Sequence, residues 1–255
     1  NGLGMIYSAF LSSSVIIFAI AYAAATFISS LISLALTSSA PRKIPGNAST
    51  LLIWFGKSLL PVPITAAPAA FATQPVEVVK ANILGVANLM DYGLGHSLER
   101  MLYVSTGEVY GEGGATLDTP DGKAFTETDS GYVNCATQRA CYPSSKRAAE
   151  TLCIAYGAEY GADVVIARPC HVFGPNFTES DNRVYAQFLR NVQRGEDIVM
   201  KSDGAQFRSW CYVVDCVRAL LYILLKGERG EVYNIADEKS NVTIRQLAEM
   251  IASIG

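Results

Sequence analysis

The first 76 residues of this 255-residue chain contain no aspartate and no glutamate, and their only basic residues are Arg42, Lys43 and Lys57. Histidine is scarce throughout, with two residues in all, and the six cysteines (Cys135, Cys141, Cys153, Cys170, Cys211 and Cys216) form no C-x-x-C pair and no histidine-rich spacing. That excludes the common zinc patterns, so no metal is expected and the thiols read as reduced, in a cytoplasmic protein. A formal net charge of −3 offers no basic field for a phosphate backbone, which argues against a nucleic-acid partner while leaving single anionic ligands to local arginines. Half of the residues are apolar, enough for one large core or two modest ones.

From Val15 to Thr37 runs "VIIFAIAYAAATFISSLISLALT", long and uncharged enough to qualify as a membrane-spanning helix. An apolar run of this kind also suits two buried segments of an α/β core, because periodicity does not separate buried strands from buried helices. From Glu77 onward the pattern is clearer. "PVEVVKANILGVANLMDYGL" (75–94) opens with proline and is apolar at helical spacing. "MLYVST" (101–106) reads as a short buried strand, 111–139 as a long loop, 141–155 as an amphipathic helix, and "DVVIARP" (163–169) as a second β-branched strand. "RVYAQFLRNVQRG" and "VVDCVRALLYILLKG" predict helices, "EVYNIAD" a strand, and Thr243 with Gln246 the capping box of a last helix. This β-α-β alternation predicts a doubly wound parallel sheet.

In "CYPSSKRAAETL" (141–152), Tyr142 and Lys146 stand four apart, which puts both on one helix face. Such a pair decides little alone. Three other stretches give it context: "MLYVSTGEVYG" (101–111) at a strand's carboxyl end, "ARPCHVFGPNF" (167–177) at the next, and "GAQFRSWCYVVDCVRAL" with Arg208 ahead of a helix. With these in order and at these spacings, residues 64–253 resemble the extended short-chain dehydrogenase/reductase family, the sugar-nucleotide epimerases, dehydratases and decarboxylases.

The resemblance implies NAD as cofactor and a nucleoside-diphosphate sugar as substrate. Tyr142 would be the base that deprotonates a sugar hydroxyl; Lys146 would lower its pKa and bind the nicotinamide ribose; Thr106 would hold the reacting hydroxyl. Ser105, Pro169 and Asn82 are implied on the cofactor side, Asn82 as a brace of the active-site strand. Glu108, His171, Asn176, Arg183 and Arg208 are implied on the substrate side, with Arg208 matching a diphosphate-binding arginine. His171 stands where the family usually has an asparagine, and is either a hydrogen-bond donor to the diphosphate or a structural residue.

Glu108 and its neighbour separate the reactions. The dTDP-glucose dehydratases carry Thr-Asp-Glu, the Asp serving as acid for the leaving hydroxyl; here the order is Thr106-Gly107-Glu108, which puts 4,6-dehydration in doubt. The UDP-glucuronate decarboxylases carry Thr-Ser-Glu and a later stretch that "VNCATQRACYPSSKRAAET" (133–151) matches well. Decarboxylation is therefore the favoured reading, with a UDP-sugar 4-epimerase, a dTDP-glucose 4,6-dehydratase and a non-catalytic binding member as alternatives.

A family member should open with a strand, a G-x-x-G-x-x-G turn and a helix that receives the pyrophosphate. That turn is missing; Gly2 and Gly4 are its nearest remnant and the implied cofactor contacts. The expectation is an incomplete or atypical cofactor half rather than a membrane anchor, since an anchor at 15–37 leaves too few residues for two βαβ units. The expected organisation is an NAD-binding Rossmann-like domain over 1–169 and a mainly substrate-binding region over 170–255 that stops before its closing element. A homodimer through the Asn82 and Tyr142 helices completes the reading.

Overall fold

A computed structural model describes residues 68–254, apart from 97, 112–123, 176, 178 and 180. The apolar run at 15–37, Gly2, Gly4 and Asn176 lie outside the described residues.

The described chain opens with two helices, α1 (Pro68–Thr73) and α2 (Pro75–Gly95). Pro75 suits the first turn of α2, where its missing N–H had no intrahelical partner to find, and its ring breaks the chain from α1. Strand β1 (Met101–Val104) follows, then a 3-10 turn over Gly107–Tyr110. After the loop, a second 3-10 turn (Gln138–Ala140) leads into α3 (Cys141–Tyr160), which Gly161 ends in the left-handed conformation at φ +72°. Next come β2 (Val164–Pro169), β3 (His171–Phe173), α4 (Val184–Gln193), β4 (Phe207–Tyr212) and α5 (Val213–Lys226). The described chain closes with β5 (Val232–Ile235), β6 (Asn241–Thr243) and α6 (Ile244–Ala252).

β1, β2 and β5 form a parallel sheet in the order β1-β2-β5, with Met101 opposite Val164 and Ile166 opposite Val232. Both faces are covered, as a parallel sheet with crossover helices requires. Met101, Tyr103, Val164 and Ile166 meet Val86 and Met90 of α2 and Ala149, Cys153 and Tyr156 of α3. The intervening Leu102, Val104, Val165 and Ala167 meet Leu220, Ile223 and Leu224 of α5 on the other face. Alternate residues thus enter two separate cores, which is why these strands are apolar without alternation in sequence. The doubly wound, Rossmann-like class follows from this arrangement.

A smaller mixed sheet, β3-β4-β6, runs parallel between β3 and β4 and antiparallel between β4 and β6. It packs with α4 and α6 around Tyr185, Ala186, Trp210 and Phe188. The capping box of α6 is formed: Gln246 N donates to Thr243 Oγ1 at 3.1 Å and Thr243 N to Gln246 Oε1 at 2.8 Å. After the small unit, α5 and β5 return to the parallel sheet. The reason is topological: a parallel strand is reached only by a crossover, so the small unit is inserted between two strands of one sheet. Among the described residues no helix is long and apolar enough to cross a membrane, and no group of acidic, cysteine or histidine side chains could hold a metal ion.

Candidate active site

Where β1 and β2 end, the chain leaves the sheet and opens a cleft of about 700 Å³, bounded on its far side by β3, β4 and the start of α4. This is the carboxyl edge of the sheet, where strand ends diverge and open α/β folds bind ligands. Thr106 caps the 3-10 turn after β1, its Oγ1 accepting from Glu108 N at 3.2 Å. Gly111 ends that turn at φ +68°, and a Cβ there would stand 2.4 Å from the Tyr132 carbonyl oxygen, so only glycine fits. Arg147 of α3 then ties the turn to the returning loop, donating to Val109 O and Gly131 O at 2.7 Å each. Thr106 and Glu108 are fixed by these bonds.

On α3, Tyr142 and Lys146 are both buried and both reach the cleft. The Thr106 side chain favours the ionised Tyr142 phenol, yet burial dominates and pushes the phenol up to about 12; Glu108 adds to the rise and Arg139 opposes it. Lys146 Nζ donates to Val104 O at 3.0 Å and lies 4.9 Å from the Tyr103 ring centroid. Burial pushes its ammonium down to about 8, partly offset by Glu150. The Lys146 ammonium lies 5.9 Å from the Tyr142 ring centroid while it donates to a backbone carbonyl.

The other expected residues divide. Ser105, Glu108, Pro169, His171, Arg183 and Arg208 line the same cleft. Ser105 Oγ is buried and has no hydrogen-bond partner among the described residues. Asn82, buried in α2, donates to Ser145 Oγ at 3.0 Å and so ties α2 to the Tyr142 helix. Arg183 is held by Asp181, with Nε to Oδ1 at 2.9 Å, and by Tyr185 Oη at 2.7 Å, which neutralises much of its charge. Arg208 by contrast donates to the Phe207 carbonyl at 2.9 Å and has no carboxylate partner among the described residues. His171 packs against Trp210 with ring centroids 5.4 Å apart. Although part of the ring is open to the cleft, desolvation by the surrounding walls, then Arg208 and Arg183, push it down to about 4.

Three further residues have no role in the sequence reading. Phe71 of α1 stacks on Tyr142 with ring centroids 4.6 Å apart and planes 18° apart. Arg139 lies over Phe71 at 4.9 Å and pairs with Glu108, Nη2 to Oε2 at 2.7 Å. Arg168 forks onto Glu150 (2.9 and 2.7 Å) and also donates to Tyr110 Oη and Glu127 O, locking β2 to α3 and to the loop behind the cleft. Arg139 and Arg168 do stand in recognisable motifs, but spacing says nothing of their partners; Phe71 has no local signal at all.

Residues 62–236 match the model of the NAD dependent epimerase/dehydratase family. The chain is 35% identical over 190 residues to UDP-glucuronic acid decarboxylase 6 of Arabidopsis thaliana, covering 74% of this chain and 52% of that protein. It is 32% identical to UDP-glucuronic acid decarboxylase 1 of Xenopus tropicalis, covering 74% and 42%. The chain thus spans about half the length of the curated relatives it matches. Among solved structures, dTDP-glucose 4,6-dehydratase of Bacillus anthracis in complex with NAD superposes with a TM-score of 0.61 at 27% identity, covering 70% of this chain and 53% of that one.

Proposed function

The chain belongs to the NAD dependent epimerase/dehydratase family, and from that premise we propose that it is a nucleotide-sugar enzyme that oxidises its substrate transiently at C4 and decarboxylates UDP-glucuronate. The observation that carries the reading is the meeting of Thr106, Tyr142 and Lys146 in one cleft at the carboxyl edge of the sheet. The similarity to UDP-glucuronic acid decarboxylases supports the choice of reaction.

The residues present fit NAD. Ser105 Oγ is a buried hydroxyl without a partner among the described residues, and it lines the same cleft as Lys146, whose buried ammonium has used one of its donors on Val104 O. Lys146, Ser105 and Pro169 would hold the nicotinamide end. Bound NAD would supply the hydride acceptor and donor, together with a cationic ring that favours the Tyr142 phenolate. The protein's own part is proton transfer and positioning. Tyr142 takes the proton from the C4 hydroxyl, and Thr106 Oγ1 holds that hydroxyl within reach. With C4 a ketone, the acid at C5 is a β-keto acid: the C5–C6 bond breaks, CO₂ leaves, and the electron pair passes to the enolate before C5 regains a proton. Arg208, uncommitted to any carboxylate, would receive the diphosphate. Gly107 supplies no acid for a departing hydroxyl, which favours loss of CO₂ over loss of water.

Incubating the full-length protein and NAD⁺ with UDP-glucuronate, UDP-glucose and dTDP-glucose, with products followed by mass, tests this. We expect CO₂ loss from UDP-glucuronate. Water loss from dTDP-glucose would make it a dehydratase, unchanged mass with inverted stereochemistry an epimerase, and no turnover with no bound or protective NAD a binding module.

We also propose a homodimer through α2 and α3, which pack on each other and leave Leu84, Ile154 and Tyr160 exposed. Its six free cysteines suit the cytoplasm. A monomer by light scattering at micromolar concentration would refute the dimer.

A further inference from the structure

Glu108 and Arg139, an ion pair at 2.7 Å, line the same cleft as Thr106 and Tyr142. The reacting C4 hydroxyl belongs between Thr106 Oγ1 and the Tyr142 phenol, and in a 4-oxidised uronic acid the carboxylate is carried by the ring carbon next to C4. Glu108 is two residues from Thr106 and donates its backbone N–H to the threonine oxygen at 3.2 Å. The Tyr142 phenol feels both members of the pair, Glu108 pushing its pKa up and Arg139 pulling it down. A substrate carboxylate entering here meets a fixed negative charge close by, and like charges in a partly desolvated cleft repel strongly. Arg139, already paired with Glu108, is a cation placed to relieve this.

Arg139 is built for that position. One of its Nη2 hydrogens is committed to Glu108 Oε2 at 2.7 Å. Its guanidinium lies over the Phe71 ring at 4.9 Å, in the lining of the cleft. A guanidinium has five N–H donors, and Arg139 has no second partner among the described residues. Phe71 is itself stacked on Tyr142, so the base, the aromatic spacer and the cation form one stacked unit. The sequence reading gave Glu108 a role and Arg139 none, although "QRACY" lies within the quoted motif.

We infer that Arg139 bridges Glu108 and the carboxylate of a uronic-acid sugar nucleotide, and so selects an acidic hexose over a neutral one. The inference rests on the decarboxylase reading for its choice of sugar, but it concerns recognition and is tested by binding. Glu108 orients the arginine; Arg139 touches the substrate. Departure of CO₂ as a neutral molecule then removes the anion that the arginine holds, which favours forward reaction and release.

The test measures dissociation constants of UDP-glucuronate and UDP-glucose by titration calorimetry on the full-length protein and on Arg139→Gln and Arg139→Lys, with CO₂ release followed in parallel. Wild type should bind UDP-glucuronate more tightly than UDP-glucose. Arg139→Gln should weaken UDP-glucuronate by on the order of 10-fold or more, the size of one lost charge-assisted pair, and change UDP-glucose by less than about 2-fold. Arg139→Lys should recover part of the preference. Unchanged UDP-glucose binding also shows that the variant is folded. Equal weakening of both ligands, no weakening of either, or no preference in wild type overturns the inference. Loss of preference in Arg139→Gln, with no CO₂ from any substrate, upholds it while sinking the decarboxylase reading.

Discussion

Lys146 donates its ammonium proton to the Val104 carbonyl at 3.0 Å, across from α3 to the last residue of β1. Two elements 42 residues apart in sequence are joined there, at the point where the cleft begins. The bond sets the depth at which the charge sits.

That depth has a pH signature. The folded pKa of Lys146, about 8, lies below the ordinary lysine value of 10.5, so between the two the unfolded chain binds more protons and stability rises with pH. Below pH 8 the buried charge costs on the order of 3 kcal/mol, from the size of the shift. We expect Lys146→Met to be more stable than wild type at pH 7, with the gap closing towards pH 10. Urea midpoints at three pH values check this, and a pH-independent gap would contradict it.

Tyr142→Phe removes the hydroxyl and keeps the ring that stacks on Phe71. Turnover should fall by about 10²-fold or more, the scale of a lost general base, while UDP affinity and the thermal midpoint stay near wild type. Near-normal turnover would remove Tyr142 from the chemistry.

Arg168 and Glu150 are each only 11% exposed at the side chain, so removing one strands the other. Arg168→Met should cost roughly 3–5 kcal/mol in denaturant unfolding, and adding Glu150→Leu should recover much of it. If the double variant were no better than the single, the stranded carboxylate would not be the cause.

Position 107 has room for a side chain. A Cβ there would meet nothing nearer than Pro169 O at 3.7 Å, an ordinary contact. Gly107→Asp should keep the thermal midpoint within a few degrees, a change of about 1 kcal/mol or less, and should yield some water-loss product from dTDP-glucose that wild type lacks. Folded variant protein with no such product would show that the Gly107 departure does not by itself exclude dehydration.

His171, pushed down to about 4 by the cleft walls and by Arg208 and Arg183, is neutral from pH 5.5 upward by about 1.5 units. UDP affinity should therefore show no His171-dependent change between about pH 6 and 8, and NMR titration of the imidazole without ligand should find its midpoint well on the acid side. A midpoint near 6.5 would mean that the ring is solvated.

Much of the fold was legible in residue order. The runs at 101–104 and 164–167 are apolar on both faces because α2 and α3 cover one side and α5 the other, as a parallel sheet with helices on both faces requires. The spacing of Tyr142 and Lys146 placed them on one helix face, and the capping box at Thr243 marked the last helix. Both are local properties, carried by residues within four positions of each other.

What only the tertiary structure decided is where those side chains turn and what they meet. A helical spacing of four puts Lys146 beside Tyr142, but it is the Val104 carbonyl, offered by a strand 42 residues upstream, that accepts its hydrogen bond. Asn82 bonds Ser145, 63 residues away. Phe71 covers the base from a helix with no motif, and Arg139 finds Glu108 across 31 residues. Such pairings depend on the crossing of distant elements, which residue spacing does not encode. Local order therefore determined the elements and the identity of the reactive groups, while packing across the sheet decided their protonation, their partners and the electrostatic character of the cleft.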